Sequence, residues 1–430
     1  MPQIMSQKKP SVVEVYDHPQ QFEPLMPAES VVGPLLERAS DLTRAAAALG
    51  ASAGKASQSE LRTLLRSMNS YYTNRIEGEH TRPRDIERAL QQDFSANADL
   101  ARKQRLALAH IRTEKLCEDE ADKQVAANGE AAVRQLYSAG ALQWLHGELF
   151  RDLPQEDLKL ADGSLLKPGE FRTRQVAVGQ HEPPTAASLP AFIERWAQVY
   201  GKERRGEASI VALAAAHHRM AWIHPFLDGN GRAIRLHTHL LLHGWGLTNG
   251  LWSPLRGFAR SEGQYKALLQ AADEHRRGDL DGRGNLSQAA LVDWILYVIG
   301  ICIDQVEFMS KMIDVQGMRG RMEAALAYEA GALKNGVRPE ALNALHYLFS
   351  SQIELGRADF KAMLGMGERV ATEALSALIK RGFLASDSAY GKVRFAVPQH
   401  VLRFYFPALW PEAEQDAALL QAEQAAGRVS

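Results

Sequence analysis

Cysteine is nearly absent from this chain of 430 residues, which holds only Cys117 and Cys302. Two thiols so far apart form neither a CxxC site nor a disulfide framework, so a small cross-linked fold is excluded and a reducing compartment is expected. Charge of one sign is lacking too: 50 Lys+Arg face 51 Asp+Glu, a formal net charge of −1. Nothing global draws such a chain to a polyanion, and any nucleic-acid contact would need a local patch. The opening MPQIMSQKKPSVVEV has no apolar core of the secretory kind, so the cytoplasm is the expected location. Long hydrophobic runs are also missing. The most apolar stretch, Trp294 to Ile303, lies between Asp293 and Asp304 and is about half of what a bilayer requires. It is expected to be a buried core helix, with no membrane partner.

Hydrophobic residues make up 46% of the chain, enough to fill real cores in roughly two to four domains. The pattern predicts a mostly α-helical protein in four parts. Residues 1–125 are read as a proline-marked arm followed by helices, and in SELRTLLRSMNSYYTNRIEG the residues Leu61, Leu64, Leu65, Met68, Tyr72 and Ile76 fall at helical spacing. Ser59 is the expected cap of that helix and Gly78 its stop, and Thr81 is expected to cap the next one, with Pro83 near its start. Residues 126–310 form a helical block interrupted by RTRQVAVGQHEPPT, which alternates like a short hairpin or flap before Gly179 and the Pro183-Pro184 pair. Residues 311–410 show three helical segments and the alternating KVRFAV, the pattern of a winged helix. Residues 411–430 are expected to be a frayed helix.

Chemistry concentrates in AAHHRMAWIHPFLDGNGRAIRLHTHL. Gly229, Asn230 and Gly231 supply a turn leading straight into a helix, where unpaired amides and the helix dipole together cradle an anion. Arg232 and Arg235, three apart, project from one face and can fork onto phosphate oxygens, so a polyphosphate is expected. Asp228 is a hard oxygen ligand suited to Mg²⁺ that shares its shell with substrate phosphates. His224 is the nearest titratable group and the candidate general base.

HPFLDGNGRAIR meets every specified position of HxFx(D/E)GNGRxxR, the signature of the Fic domain family, which the chain resembles over about residues 60 to 305. The resemblance implies a helical core with a short β-hairpin flap. It also implies transfer of AMP from ATP, with Mg²⁺, to a Ser, Thr or Tyr hydroxyl of a target protein. Carried over by position, His224 deprotonates the hydroxyl, Asp228 holds Mg²⁺, Asn230 and the 229–232 backbone contact the α- and β-phosphates, and Arg232 and Arg235 hold phosphate. Val178, Gly179, Gln180 and His181 would form the flap edge near the nucleotide, and Tyr265 would pack on adenine. Asp273 stands where many relatives have Asn near the nucleotide. Upstream, TNRIEG fits the family's inhibitory helix pattern (S/T)xxxE(G/N), on a helix of about residues 60–78. Glu77, followed by Gly78, would fork onto Arg235 and take the guanidinium that a γ-phosphate needs, with Thr73 one turn earlier on the same face. The same resemblance leaves two rivals: an enzyme that removes AMP by using Glu77 and metal, and a nucleotide-sensing DNA-binding regulator.

Two further groups read more simply. His217, His218, His237, His239 and His243 crowd the signature but lack Cys or a companion carboxylate at ligand spacing, so they are expected to be core or surface residues rather than a zinc site. Turns near Met309 and Met318 are expected to be core or homodimer packing. Between Arg338 and Arg403 nine Lys/Arg meet six Asp/Glu, a net of +3, which disfavours DNA as the partner of the C-terminal module.

Overall fold

The computed structural model describes residues 15–52, 55–179, 181–351, 353–407 and 409. Four helices come first: α1 (Glu29–Ser52), α2 (Lys55–Ile76), α3 (Pro83–Leu90) and α4 (Ala98–Asn128). The middle is built from α5 (Glu130–Arg134), α6 (Ala139–Phe150), α7 (Leu189–Tyr200), α8 (Glu207–Ile223), α9 (Asn230–Gly244), α10 (Leu255–Arg260), α11 (Glu262–Asp273) and α12 (Gln288–Met312). The last part holds α13 (Val315–Tyr328), α14 (Leu342–Ser351), α15 (Arg357–Met363), α16 (Glu368–Lys380), the strands β1 (Leu384–Ala385) and β2 (Arg394–Phe395), and α17 (Leu402–Tyr405). The protein is mostly helical, as its periodicity predicts, and the antiparallel pair β1–β2 is the one sheet among the described residues.

Helix α8 is the axle. Its sequence EASIVALAAAHHRMAWI has no polar face, and 14 of its 17 residues are buried. A helix apolar all round needs partners all round, and α1, α7, α9, α11 and α12 supply them. The alanine run lets those neighbours approach closely, and most of the buried polar side chains of α8 find partners on them, the Trp222 indole N–H being an exception. His217 meets Thr238 at 2.7 Å, and the Arg219 guanidinium donates to the Pro24 carbonyl at 2.8 Å. Helix α12 is longer than the ten-residue run suggests: its best 18-residue window has a mean hydropathy of 1.7, which by length and composition suffices to cross a membrane. In the fold it is packed against α1, α8, α10 and α11, with Leu291, Trp294, Val298 and Ile299 buried.

Local boundaries differ from the sequence expectations where tertiary contacts compete with capping chemistry. Helix α2 begins at Lys55, so Ser59 lies within it instead of capping it. Arg82, not Thr81, caps α3; the Thr81 hydroxyl is buried without a partner. Gly78 does end α2, at φ +77. The described part of the lead-in is strapped onto the core: Phe22 is fully buried, Glu23 pairs with Arg195 at 2.6 Å, and the Glu23 carbonyl accepts from Asn285 and Leu286. Helix α12 stops at Ile313, and Asp314 caps a new helix that carries Met318. KVRFAV contributes only two residues to a ladder, with one further bridge from Val393 to Leu355. The interruption in the middle block is an irregular stretch between α6 and α7, in which Val178 and His181 exchange both backbone hydrogen bonds around a tight turn. The expected frayed helix at 411–430 lies outside the described residues.

Candidate active site

The signature occupies the connection from α8 to α9. His224 ends α8 in the left-handed region, at φ 50 and ψ 64, a conformation that costs a non-glycine residue energy and persists only when its surroundings enforce it. Arg172 is one enforcer. Its buried guanidinium donates to the His224 carbonyl at 2.8 Å and also to the Pro184 and Ile223 carbonyls, and the Arg172 amide donates to the Pro225 carbonyl at 2.9 Å. Burial pushes the Arg172 pKa down to about 10, yet the carbonyl ends of α8 face it and favour a cation there. Burial, and then the positive charge of Arg172, push the His224 imidazole down to about 4. At neutral pH the ring is therefore uncharged, the state a proton acceptor requires.

The turn is braced from within. The Phe226 amide donates to Asn230 Oδ1 at 2.9 Å, and Asn230 Nδ2 donates to the Phe226 carbonyl at 2.8 Å. Both polar ends of the Asn230 side chain thus brace the loop, and the second N–H of Nδ2 is left over for a ligand. His146 of α6 stacks on Phe226 with centroids 3.8 Å apart. Its Nδ1 accepts from the Gly169 amide at 2.9 Å, so Nε2 carries the proton and donates to the Asp228 carbonyl at 3.0 Å. Gly229 has φ +76, and a Cβ there would stand 2.4 Å from the Phe150 ring, so only glycine fits. Asp228 Oδ1 accepts from the Gly229 amide at 2.6 Å and Oδ2 lies 3.6 Å from Arg232, while the side chain stays half-exposed. Arg232 is buried over Phe150, 4.9 Å from the ring centroid, and its Nε has no partner.

At the N-terminus of α9 the anion cradle already holds a carboxylate. Glu77 Oε1 lies 2.6 Å from an Arg235 nitrogen, and a Cβ on Gly231 would come within 2.2 Å of that same oxygen. Arg235 is fully buried and also donates from Nε to the Thr73 hydroxyl at 2.8 Å and to the Thr73 carbonyl at 3.1 Å. Burial opposes ionisation of Glu77, but Arg235 and then Arg232 outweigh it and hold the carboxyl below its usual range. The structure therefore brings together Thr73, Glu77, Gly231, Arg232 and Arg235, which the sequence separates by about 160 positions.

Other expected residues lie around this centre, and Tyr265 touches it, its hydroxyl bonding to the Arg235 side chain. Val178 and Gly179 shape the tight turn, and His181 anchors it by a 2.7 Å contact of Nε2 with the Trp222 carbonyl. Gln180 lies outside the described residues. Tyr265 is a core residue: only 4% exposed, it packs on Phe258 and Trp294 and its hydroxyl lies 3.0 Å from His217. Little of its ring is left for a purine. Asp273 turns inward to His218, 3.1 Å away. Arg172, His146 and Phe150 carry the loop and were not singled out from sequence, because no local spacing links them to the signature.

With this geometry in view, comparison with known proteins is decisive. Residues 137–242 match the model of the Fic/DOC family. That segment is similar to a Fic domain. Protein adenylyltransferase Fic of Drosophila grimshawi is 36% identical over 110 residues, 25% of this chain and 22% of that protein. Its counterpart in Drosophila ananassae is 41% identical over 78 residues, 18% of this chain and 16% of that protein. The likeness to these curated relatives thus spans about a fifth of their length or less. Outside residues 137–242 the similarity is one of fold: a crystal structure of a Fic family protein from Desulfovibrio desulfuricans G20 superposes with a TM-score of 0.51 at 18% identity, covering 86% of this chain and 98% of that one.

Proposed function

We propose that the protein transfers AMP from ATP to a Ser, Thr or Tyr hydroxyl of a target protein, and that Glu77 restrains it. The observation that carries this reading is the Glu77 carboxylate on Arg235, 2.6 Å away over Gly231 at the start of α9. A cradle suited to phosphate is occupied by a side chain of another helix, which supports both a phosphate ligand and its exclusion. In the reaction, the target oxygen bonds to the α-phosphorus as the bond to the pyrophosphate oxygen breaks, and His224 accepts the hydroxyl proton. Asp228 would hold Mg²⁺, since it offers one half-exposed carboxylate beside the cradle and phosphates would complete the shell. The ion would supply charge neutralisation on the phosphates. Arg232, buried with a free Nε, would meet a phosphate oxygen, and the catalysis would come mainly from positioning.

The test is intact-mass analysis of the Glu77→Gly protein after incubation with Mg²⁺ and each nucleoside triphosphate. Self-modification by AMP should rise at least about tenfold over the unaltered chain, and His224→Ala in that background should remove it by roughly 10² to 10⁴ in rate. Unchanged labelling in Glu77→Gly refutes the restraint, and no nucleotide adduct under any condition refutes the transfer. Release of AMP from a modified substrate by the unaltered protein, lost in Glu77→Gly, would favour the hydrolytic rival instead.

For the C-terminal part we propose a winged-helix-like module that docks protein rather than DNA. Its basic residues are largely spent internally: Arg381 pairs with buried Glu329 at 2.8 Å, Arg369 with Glu373 at 3.1 Å, and Arg394 with Asp387 at 2.7 Å. Few cations then remain to release counterions from a duplex.

A further inference from the structure

Beneath α2, well inside the protein, three potential metal ligands converge. Glu114 and Glu118 of α4 and His239 of α9 each present a ligand atom, all within 4.8 Å of one another, and all three are buried. His239 Nε2 lies 2.8 Å from Glu118 Oε1 and 3.6 Å from Glu114 Oε1. A tetrahedral ion with bonds of ~2.0–2.1 Å needs ligand edges of about 3.3 Å, which those two separations bracket.

A second observation points to a missing ligand. His110, only 1% exposed, has no hydrogen-bond partner at either ring nitrogen, and its Nδ1 faces Glu114 Oε2 at 3.5 Å. Glu114 Oε2 and His239 Nδ1 are likewise buried without partners. About two turns of one helix face are involved, since His110, Glu114 and Glu118 recur every fourth residue on α4. Around them stand the outer contacts that such a site uses to fix its carboxylates: Arg66 and Arg62 hold Glu118 Oε2, at 2.6 and 3.0 Å, and Asn69 donates to Glu114 Oε1 at 2.7 Å. Asp122 adds a third carboxylate, shared by Arg62 and His243.

We propose that Glu114, Glu118 and His239 form a buried site for a first-row transition-metal dication such as Zn²⁺, with His110 beside its open position. Imidazole with carboxylate selects this class over Mg²⁺ or Ca²⁺, which take oxygen ligands. The site is separate from Asp228 and does not rest on the proposed transfer of AMP. Its location fastens α4 and α9 to each other under the helix that carries Glu77.

The experiment uses the full chain bearing Asp228→Asn, stripped of metal and free of nucleotide, with Zn²⁺ or Co²⁺ offered both to the folded protein and during refolding. One ion per chain should survive gel filtration. The Zn²⁺ absorption edge should show a nitrogen and oxygen shell at about 2.0–2.1 Å containing imidazole. Glu114→Gln and His239→Gln should each weaken retention at least about tenfold. No retained ion, retention unchanged in both variants, or a shell without imidazole would overturn the site. The edge spectrum needs no substitution, so it decides the matter even if a variant fails to fold.

Discussion

The two ends of helix α2 make the same kind of contact in opposite surroundings. Its polar residues Arg62, Arg66, Asn69 and Thr73, and Glu77 in the turn directly after it, follow one another at spacings of three and four, so a single stripe faces α4 and α9. Toward the N-terminal end the stripe is sealed: the Glu118 carboxylate that receives Arg66 and Arg62 is 2% exposed. Toward the C-terminal end it opens, because the Glu77 side chain is 34% exposed where it meets Arg235. A sealed ion pair cannot exchange its partner for water without exposing a charge to a poor solvent. An open one can, and a phosphate can take the same place. One end therefore holds the helix and the other is available for exchange.

The largest effect should come from breaking the sealed end. Glu118→Ala leaves Arg66 and Arg62 facing a buried void, and chemical denaturation should report a loss of about 3–5 kcal/mol. Acid should act on the same interior. Burial pushes His237 down to about 4, while the unfolded chain takes up that proton near 6.5. Between these values only the unfolded state is protonated, so the contribution is complete above about pH 6.5 and drains as pH falls toward 4, by roughly 3 kcal/mol. Urea midpoints measured from pH 7.5 to 5 should fall accordingly, and His237→Asn should flatten the slope. Opening the exposed end should cost far less. Glu77→Gly should change stability by only about 1 kcal/mol, since water or an anion enters where the carboxylate stood. If it costs as much as Glu118→Ala, the contrast between the ends is wrong. The smallest effect is expected at Tyr72, whose hydroxyl donates to the Leu409 carbonyl at 2.8 Å and ties α2 to the C-terminal module. Tyr72→Phe should cost about 1 kcal/mol in thermal unfolding.

The signature loop was legible because its residues are contiguous. His224, Asp228, Gly229, Arg232 and Arg235 sit within twelve residues, and their spacing alone places an anion cradle before a helix. The pairing of Glu77 with Arg235 was legible only through a second motif. What escaped was support from afar: Arg172 on the His224 carbonyl, His146 under Phe226, and Phe150 against Gly229. Asn230, inside the motif, also braces the loop, a part its position in the motif did not announce. The histidines of α9 were read as lacking carboxylates because Glu114 and Glu118 belong to a helix more than a hundred residues earlier.

Periodicity, glycine placement and the run of residues 224–235 determined, with no help from the fold, that this chain is helical and carries a phosphate-type cradle beside a histidine. Each of those properties arises from neighbours along the chain, where backbone geometry sets the distances. Only the packing of α2, α4 and α9 decided which charges are sealed and which are open. Burial is a property of the whole assembly, and it is burial that seals one carboxylate among its partners and leaves another open to solvent.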